Sequence, residues 1–391
     1  MTTNTKYSPD GWTDRQLIEL ADFLDHQRRP VKSADRARAK GIYPYYGATG
    51  VIDYVDEYIF DEELVLLGED GENILSRQLP QAFRIEGKSW VNNHAHVLRP
   101  KRNIDATYLS LALERLDFSA YNSGSAQPKL TKGTCEAIVI PIPDEKHEQN
   151  AVAQALRDIG DLILSLDALI AKKRDIKQGA MQICFGDTLS NSDQDASIGA
   201  DCHLHARIGW QGLTTAEYKK SGDFLLVTGT DFIDGRIDLG RCAYVDEWRF
   251  RQDRKIQLKP NDVLVTKDGT IGKSAFVDGL PLPATLNSGV FVVRPKSNKI
   301  NKKFLFWIFQ SPIFAKFIDE LQAGSTIAHL YQKDFVKFRF RLPGAGSQAE
   351  IADILFGMTE EVEGLLDRRS KMEMIRQGMM QQLLTGRIRL A

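Results

Sequence analysis

The sequence predicts a mixed α/β (α+β) fold. Two similar globular domains are joined by two long helices, which pair as an antiparallel coiled coil about a pseudo-two-fold axis. Three observations predict it. The chain is written twice, each copy ends in a heptad-patterned stretch, and each such stretch follows a proline-bearing run that reads as a strand.

The repeat is long and ordered. Ile176-Lys177-Gln178-Gly179-Ala180-Met181-Gln182 returns as Ile375-Arg376-Gln377-Gly378-Met379-Met380-Gln381. Tyr54-Val55-Asp56-Glu57 returns as Tyr244-Val245-Asp246-Glu247, and Asp70-Gly71 as Asp268-Gly269. Asn92, Arg99, Pro100 and Lys101 recur at the same spacing as Asn287, Arg294, Pro295 and Lys296. Gly124-Ser125 and Leu130 recur as Gly324-Ser325 and Leu330. The copies lie about 190 to 200 residues apart, far beyond the roughly 20–50 of a solenoid, so a whole domain is duplicated. Two similar surfaces suit a partner that is itself bipartite.

The 391 residues leave room for a core in each copy. A hydrophobic content of 42% and a charged content of 26% are ordinary for a globular protein. No apolar run reaches the ~18 residues of a membrane span, and Met1 to Asp10 reads as a short frayed tail without a signal-peptide core. Cys135, Cys184, Cys202 and Cys242 form no C-x-x-C pair, which predicts reduced thiols in a cytoplasm. Net charge is −1. Charge is nonetheless segregated: Arg28, Arg29, Lys32, Arg36, Arg38 and Lys40 are opposed only by Asp35, whereas Asp53 to Glu72 has acids and no Lys or Arg. Such a run is either a solvated face or a basic surface.

The order is globule, rod, globule, rod. The expected divisions are 1–144 and 201–346 for the globules, 145–185 and 347–391 for the helices, and 186–200 for a polar linker. Along the first helix, from about Glu145 to Ile183, Val152, Leu156, Ile159, Ile163, Leu166 and Ile170 alternate four and three residues apart. Along the second, from about Ser347 to Leu384, Ile351, Leu355, Met358, Val362, Leu365 and Met372 keep that register, with Met379 and Leu383 beyond. A helix of ~38 residues is on the order of 57 Å long. Neither helix contains Pro, and each ends near a glycine, Gly186 or Gly386. The helices are preceded by Ala137 to Pro143 and Phe338 to Pro343, whose prolines mark the helix start. An exposed apolar seam needs cover, and the duplicate helix supplies it; packing on its own globule or on a second protein are the alternatives.

Within the globules, Glu63 to Leu67 and Asp262 to Thr266 read as buried strands closed by Asp-Gly turns, and Val290 to Val293 as another strand. Leu305 to Leu321 has aromatics at helical spacing and reads as one core helix.

A search for chemistry finds little. Lys267-Asp268-Gly269-Thr270-Ile271-Gly272-Lys273-Ser274 ends like a phosphate loop, but Lys267 stands where a Gly is needed, and the copy at Glu69-Asp70-Gly71 has no Gly-Lys-Ser. A hairpin or DNA-contacting loop is expected there. His94 with His96, and His203 with His205 beside Cys202, lack the four ligands of a closed zinc site. The counterparts of His94 and His96 are Gly289 and Phe291. No dinucleotide fingerprint, nucleophile elbow or zincin helix is present. Duplication without a duplicated catalytic set points to binding.

Together these residues give a family resemblance over nearly the whole chain. Arg29-Pro30-Val31-Lys32, Tyr43 to Ala48 and Gly68 to Gly71 carry it in the first half. Arg207 to Leu213 and Asp262 to Gly272 carry it in the second, and the repeated helix ends complete it. The chain resembles the specificity (S) subunit of type I restriction–modification enzymes. One departure is the helix start, where the family's Pro-Pro-Leu-x-Glu-Gln is reduced to Pro141-Ile142-Pro143 with Glu148-Gln149, and to Pro343 with Gln348.

The resemblance implies two target-recognition domains. Each reads half of a split, asymmetric sequence on double-stranded DNA, with the helices as the ruler of the unread spacer. It implies two methyltransferase (M) subunits that methylate adenine N6 with S-adenosylmethionine, and two restriction (R) subunits that can join and use ATP and Mg. The S subunit itself is implied to be non-catalytic, without cofactor or metal. A specificity subunit of a methylation-only or other phage-defence system, an enzyme with a site assembled across the globules, and a coiled-coil scaffold without DNA are the rival readings. Expected phosphate contacts are Lys32, Arg36, Lys40, Lys129, Lys132, Lys219, Lys220, Lys267 and Lys273. Expected base readers are Arg84, Asn92, Asn93, His94, Gln127, Asn287 and Ser288. Asn92 and Asn287 are duplicated, which suits a structural turn equally well.

Overall fold

Strands buried on both faces form the centre of each half. The chain is described from a computed structural model, which covers residues 9–124, 127–186, 194–208, 212–323 and 329–390. Ser125, Gly324, Ser325, the tail before Pro9, most of the linker and Gly209 to Gln211 lie outside the described residues. The chain divides into two units, residues 1–168 with 367–391, and residues 169–366.

In unit 1 the strands are β1 (Trp12–Gln16), β2 (Ala21–Phe23), β3 (Lys40–Tyr46), β4 (Val51–Val55), β5 (Phe60–Asp61), β6 (Leu64–Gly68), β7 (Ala82–Ile85), β8 (Lys88–Val91), β9 (Ala95–Pro100) and β10 (Val139–Pro143). One sheet has the order β2-β9-β6-β7 and a second the order β4-β3-β8-β5. β3 and β8 are parallel, with Tyr45 opposite Trp90. Leu64, Val65, Leu66 and Leu67 are all fully buried. The reason is that alternate residues enter different cores. Val65, Leu67 and Leu98 pack with the helix Ala106–Glu114, and Leu64, Leu66 and Val97 with Phe60, Ile85 and Val91. An unbroken apolar run is the signature of such a strand.

Unit 2 repeats the plan with β11 (Asp195–Ser197), β12 (Cys202–Ala206), β13 (Leu225–Val227), β14 (Phe232–Ile233), β15 (Arg236–Ile237), β16 (Ala243–Tyr244), β17 (Val263–Thr266), β18 (Ser274–Phe276), β19 (Ala284–Leu286), β20 (Val290–Pro295) and β21 (Arg339–Arg341). The order β12-β20-β17-β18 matches β2-β9-β6-β7 strand for strand, and β13 pairs with β19 in parallel as β3 does with β8. The edge pair β11-β21 repeats β1-β10.

The duplicated side chains make duplicated bonds. Arg99 grips Glu62 through two hydrogen bonds of 2.6 and 2.7 Å, and Arg294 grips Asp262 through two of 2.7 and 2.6 Å. Lys101 Nζ donates to the Ile18 carbonyl of the short helix Leu17–Leu20. Lys296 Nζ donates to the carbonyls of Gly199 and Ala200 in its counterpart, Ile198–Asp201. A lysine at the C-terminal carbonyls of a helix also complements its dipole.

The long helices run Lys146–Phe185 and Ala345–Leu383. Within unit 1, Val152 and Leu156 share a core with Leu383 and Leu384. Glu148 bonds Arg389 at 2.9 and 2.7 Å, and Asp167 bonds Arg369 at 2.8 Å. Low numbers thus face high ones, and the two stretches pair antiparallel. Within unit 2, Lys173 meets Glu361 at 2.6 Å and Lys177 meets Thr359 at 3.5 Å, again antiparallel. Val152, Leu156, Ile159, Ile163, Leu166, Ile170, Ile351, Leu355 and Val362 are buried, while Met358, Leu365 and Met372 are half-buried.

The helix starts are anchored by a buried glutamine in each unit. Gln149 Nε2 donates to the carbonyls of Pro143 and Asn103, and its Oε1 accepts from the Asp105 N–H. Gln348 donates to the carbonyls of Pro343 and Lys299 and accepts from the Asn301 N–H. The shortened motif therefore keeps its working residue. Replacing either Gln by Ala removes a partner from three backbone groups, one of them the buried carbonyl of Pro143 or Pro343. Each variant is expected to lose about 1–3 kcal/mol, read by thermal denaturation; unchanged midpoints would remove the anchor role.

One expectation is corrected. Leu305 to Leu321 is not a single helix but parts of two, Lys302–Gln310 and Pro312–Ala323. Ser311 between them is extended, at φ −84° and ψ 159°. A residue before proline is driven out of the helical region, and Pro312 then starts the next helix at its favoured first position. Phe306, Phe309, Phe314 and Phe317 still pack in or against one core.

Candidate nucleic-acid interface

Three loops meet at one rim of unit 1, and backbone hydrogen bonds stitch them. The Glu69 N–H donates to the His94 carbonyl, the Leu130 N–H to the Glu69 carbonyl, and the Gly71 N–H to the Pro128 carbonyl. Gly71 has φ +111°, a conformation glycine adopts without strain. Asn92 is buried; its N–H donates to Tyr46 and its Oδ1 accepts from the His94 N–H at 2.7 Å. It therefore shapes the turn and presents no free edge to a base. Asn93, His94, Gln127 and Lys129 are exposed on this rim.

Charges below the rim are paired. Arg28 donates to Glu69 at 2.6 Å and to the Ala95 carbonyl at 2.7 Å, and Lys129 reaches Glu69 at 3.2 Å. Burial opposes the Glu69 charge, but the Arg28 hydrogen bond outweighs it and holds the carboxyl below its ordinary range. Deeper still, His96 is 1% exposed, with Nδ1 2.7 Å from Asp25 Oδ2 and Nε2 2.9 Å from the Leu130 carbonyl. Both ring nitrogens face acceptors, so both donate and the ring is an imidazolium. Burial alone would lower its pKa; the Asp25 hydrogen bond and the adjacent Cys135 outweigh burial and raise it to about 10. His96 is thus part of the frame.

Unit 2 builds the same rim with other side chains. The Lys267 N–H donates to Gly289 and the Leu330 N–H to Lys267, as at Glu69 in unit 1. The Asn287 N–H donates to Val227, its Nδ2 to the Tyr218 hydroxyl at 2.5 Å, and its Oδ1 accepts from the Ser288 N–H. Lys267 is largely buried, lies over the Phe291 ring and meets Asp268 at 3.4 Å. Thr266 Oγ1 accepts from the Lys273 N–H and donates to the Thr270 carbonyl, closing the turn from β17 to β18. A strand follows this loop, so it lacks the helix N-terminus that a phosphate loop needs. The adjoining cleft, of about 610 Å³, is lined by Gly229, Thr230, Arg241, Asp268, Gly289 and Lys273. The Lys273 amine has no partner among the described residues.

The other expected contacts lie elsewhere. Arg36 donates to Asp53 at 2.9 Å and to the Val31 carbonyl, and stacks over Tyr45. Arg84 is bracketed by Glu63 and Glu86 at 2.5 and 2.6 Å. Lys132 faces Glu136 at 3.6 Å, and Lys219 is paired with Asp246. Lys32, Lys40 and Lys220 are exposed. His203 and His205 are stacked on the edge strand β12, with ring centroids 5.9 Å apart. Among the described residues no group of three or more His, Cys, Asp or Glu is placed to hold a metal ion, and no helix is long and apolar enough to cross a membrane. The four cysteines are free thiols.

Sequence reasoning missed Thr230, Arg241 and His329 at the second rim. The Asp268-Gly269 repeat was the available signal for His329, since His329 bonds Asp268.

Comparison with known proteins is consistent over the whole chain. The family profile described as "Type I restriction modification DNA specificity domain" matches residues 9–173 and again 213–366. A putative type I restriction enzyme specificity subunit of Haemophilus influenzae is 26% identical over 356 residues, covering 87% of this chain and 86% of the relative. The type I restriction enzyme MjaVIII specificity subunit of Methanocaldococcus jannaschii is 25% identical over 412 residues, covering 97% and 94%. The crystal structure of the S subunit of a type I restriction–modification system from M. genitalium superposes with a TM-score of 0.66 at 15% identity, covering 98% of this chain and 99% of that one. At that identity the likeness speaks for the fold.

Proposed function

The chain belongs to the type I restriction–modification DNA specificity family, and from that premise we propose that it binds a split, asymmetric sequence on double-stranded DNA. Each rim reads one half-site, and the paired helices set the unread spacer. The observation that carries this reading is the contrast between frame and rim. Lys101 and Lys296, and Gln149 and Gln348, keep equivalent bonds and Arg99 and Arg294 each clamp a carboxylate, while Glu69, His94 and Lys129 give way to Lys267, Gly289 and His329. A constant frame with changed rims is what two independent readers require, since base edges set sequence and phosphates set affinity.

Two methyltransferase subunits dock on the chain and, with S-adenosylmethionine, methylate adenine; restriction subunits using ATP and Mg complete the system in a cytoplasm. The chain itself performs no catalytic step. Competition binding of the chain co-expressed with its methyltransferase subunit tests the reading, with one preferred split sequence expected against random duplex. Equal affinity for all duplexes would overturn it.

Cations whose amines have no partner among the described residues carry the phosphate contacts. Lys32→Ala and Lys273→Ala are each expected to reduce the slope of log affinity against log salt by about 1. Arg36→Ala is expected to lower stability instead, because its guanidinium already serves Asp53 and Val31. A salt slope that falls for Arg36→Ala and stays for Lys32→Ala reverses the assignment.

A further inference from the structure

The Asp of each duplicated Asp-Gly turn holds a histidine, but the two histidines come from different places in the repeat. In unit 1, His94 Nδ1 lies 2.9 Å from Asp70 Oδ1 and 3.0 Å from Oδ2. In unit 2, His329 Nδ1 bonds Asp268 Oδ1. His94 corresponds to Gly289, and His329 corresponds to Lys129. The bare Gly289 leaves room beside Asp268, with an added Cβ falling 3.7 Å from the carboxylate. Each copy thus fills the position that the other leaves without an imidazole.

We infer that His94 and His329 are base-reading residues, one for each half-site, and that Asp70 and Asp268 position them. This rests on the DNA-binding reading above. The His94 side chain is 51% exposed and that of His329 26%. Neither Nε2 has a hydrogen-bond partner among the described residues. A carboxylate at Nδ1 fixes the ring and its tautomer. The neutral ring, with Nδ1–H given to Asp, offers Nε2 as an acceptor for the amino group of adenine N6 or cytosine N4 in the major groove. The protonated ring offers Nε2–H to guanine N7 or O6. Because the two imidazoles stand at different points of one frame, they address different positions in their half-sites.

The test is competition binding by the chain with its methyltransferase subunit, using duplexes substituted one base pair at a time. His94→Ala is expected to flatten the preference roughly tenfold at one base pair of one half-site. His329→Ala does the same at one base pair of the other. Asp70→Asn and Asp268→Asn weaken the preference at those same base pairs by less, since the amide still accepts a hydrogen bond. Retained preference at the other base pairs of the same half-site, with an unchanged thermal midpoint, reports that the substituted unit is folded. Uniform loss across a half-site, or no change at any position while the wild type keeps its preference, overturns the assignment. A wild-type complex without any sequence preference fails the DNA-binding reading itself.

Discussion

His96→Phe, which installs the residue that unit 2 carries at the equivalent place, lowers stability by about 3–5 kcal/mol. Phe291 is buried among Phe335 and other aromatics, whereas His96 is enclosed by Asp25, the Leu130 carbonyl and the Phe23 ring. A phenyl ring there leaves the Asp25 carboxylate without its main partner and the Leu130 carbonyl without a donor. The loss depends on pH. The folded pKa of His96 is about 10, above the ~6.5 of an unfolded histidine. The folded state therefore holds a proton that the unfolded state releases. Its stabilisation is complete below pH ~6.5 and fades as pH rises toward 10. Asp25 has the opposite sign. Burial opposes its charge, the His96 hydrogen bond outweighs burial, and its lowered pKa gives a stabilisation lost as pH falls through the acid range. Denaturation midpoints at pH 7 and pH 9.5 check the histidine statement, and midpoints in the acid range against pH 7 check the aspartate one. From pH 7 to pH 9.5 the wild type is expected to weaken more than His96→Phe, and parallel profiles would show that the imidazolium contributes nothing.

Seven residues inserted after Ala168 and seven after Leu366, where the chain passes from one unit to the other, lengthen the unread spacer. A heptad preserves the seam of each helix, and matching insertions preserve the antiparallel pairing. Seven residues at ~1.5 Å each add about 10 Å, close to three base pairs at ~3.4 Å. The expected target keeps both half-sites and gains about three unread positions. A methylation map with altered half-sites, or with the original spacer, contradicts the ruler.

The frame was legible in the sequence because its signals are local or repeated. The heptads of Val152 to Ile170 and Ile351 to Met372 disclosed the seam, and the recurrence of Arg99 as Arg294 disclosed two arginines that each clamp a carboxylate. The break at Ser311 escaped because the aromatic spacing continues across it, and Pro312 sits where a helix tolerates proline. The rims were read poorly for a different reason. Arg36 and Arg84 look like free cations until Asp53 and Glu63, well separated along the chain, are brought beside them. His94 stands among the expected base readers because its side chain can bond a base edge. His329 does not, because its partner Asp268 is distant in sequence and its own counterpart is a lysine.

The most direct measurement is a methylation map of cells that carry this chain with its methyltransferase subunit, compared with cells carrying the subunit alone. The account predicts one split motif, two short unlike half-sites about a fixed unread spacer, present only when the chain is present. Exchange of residues 201–346 for those of a relative should replace one half-site and leave the other. A continuous motif, a motif independent of the chain, or an exchange that changes both half-sites would contradict it.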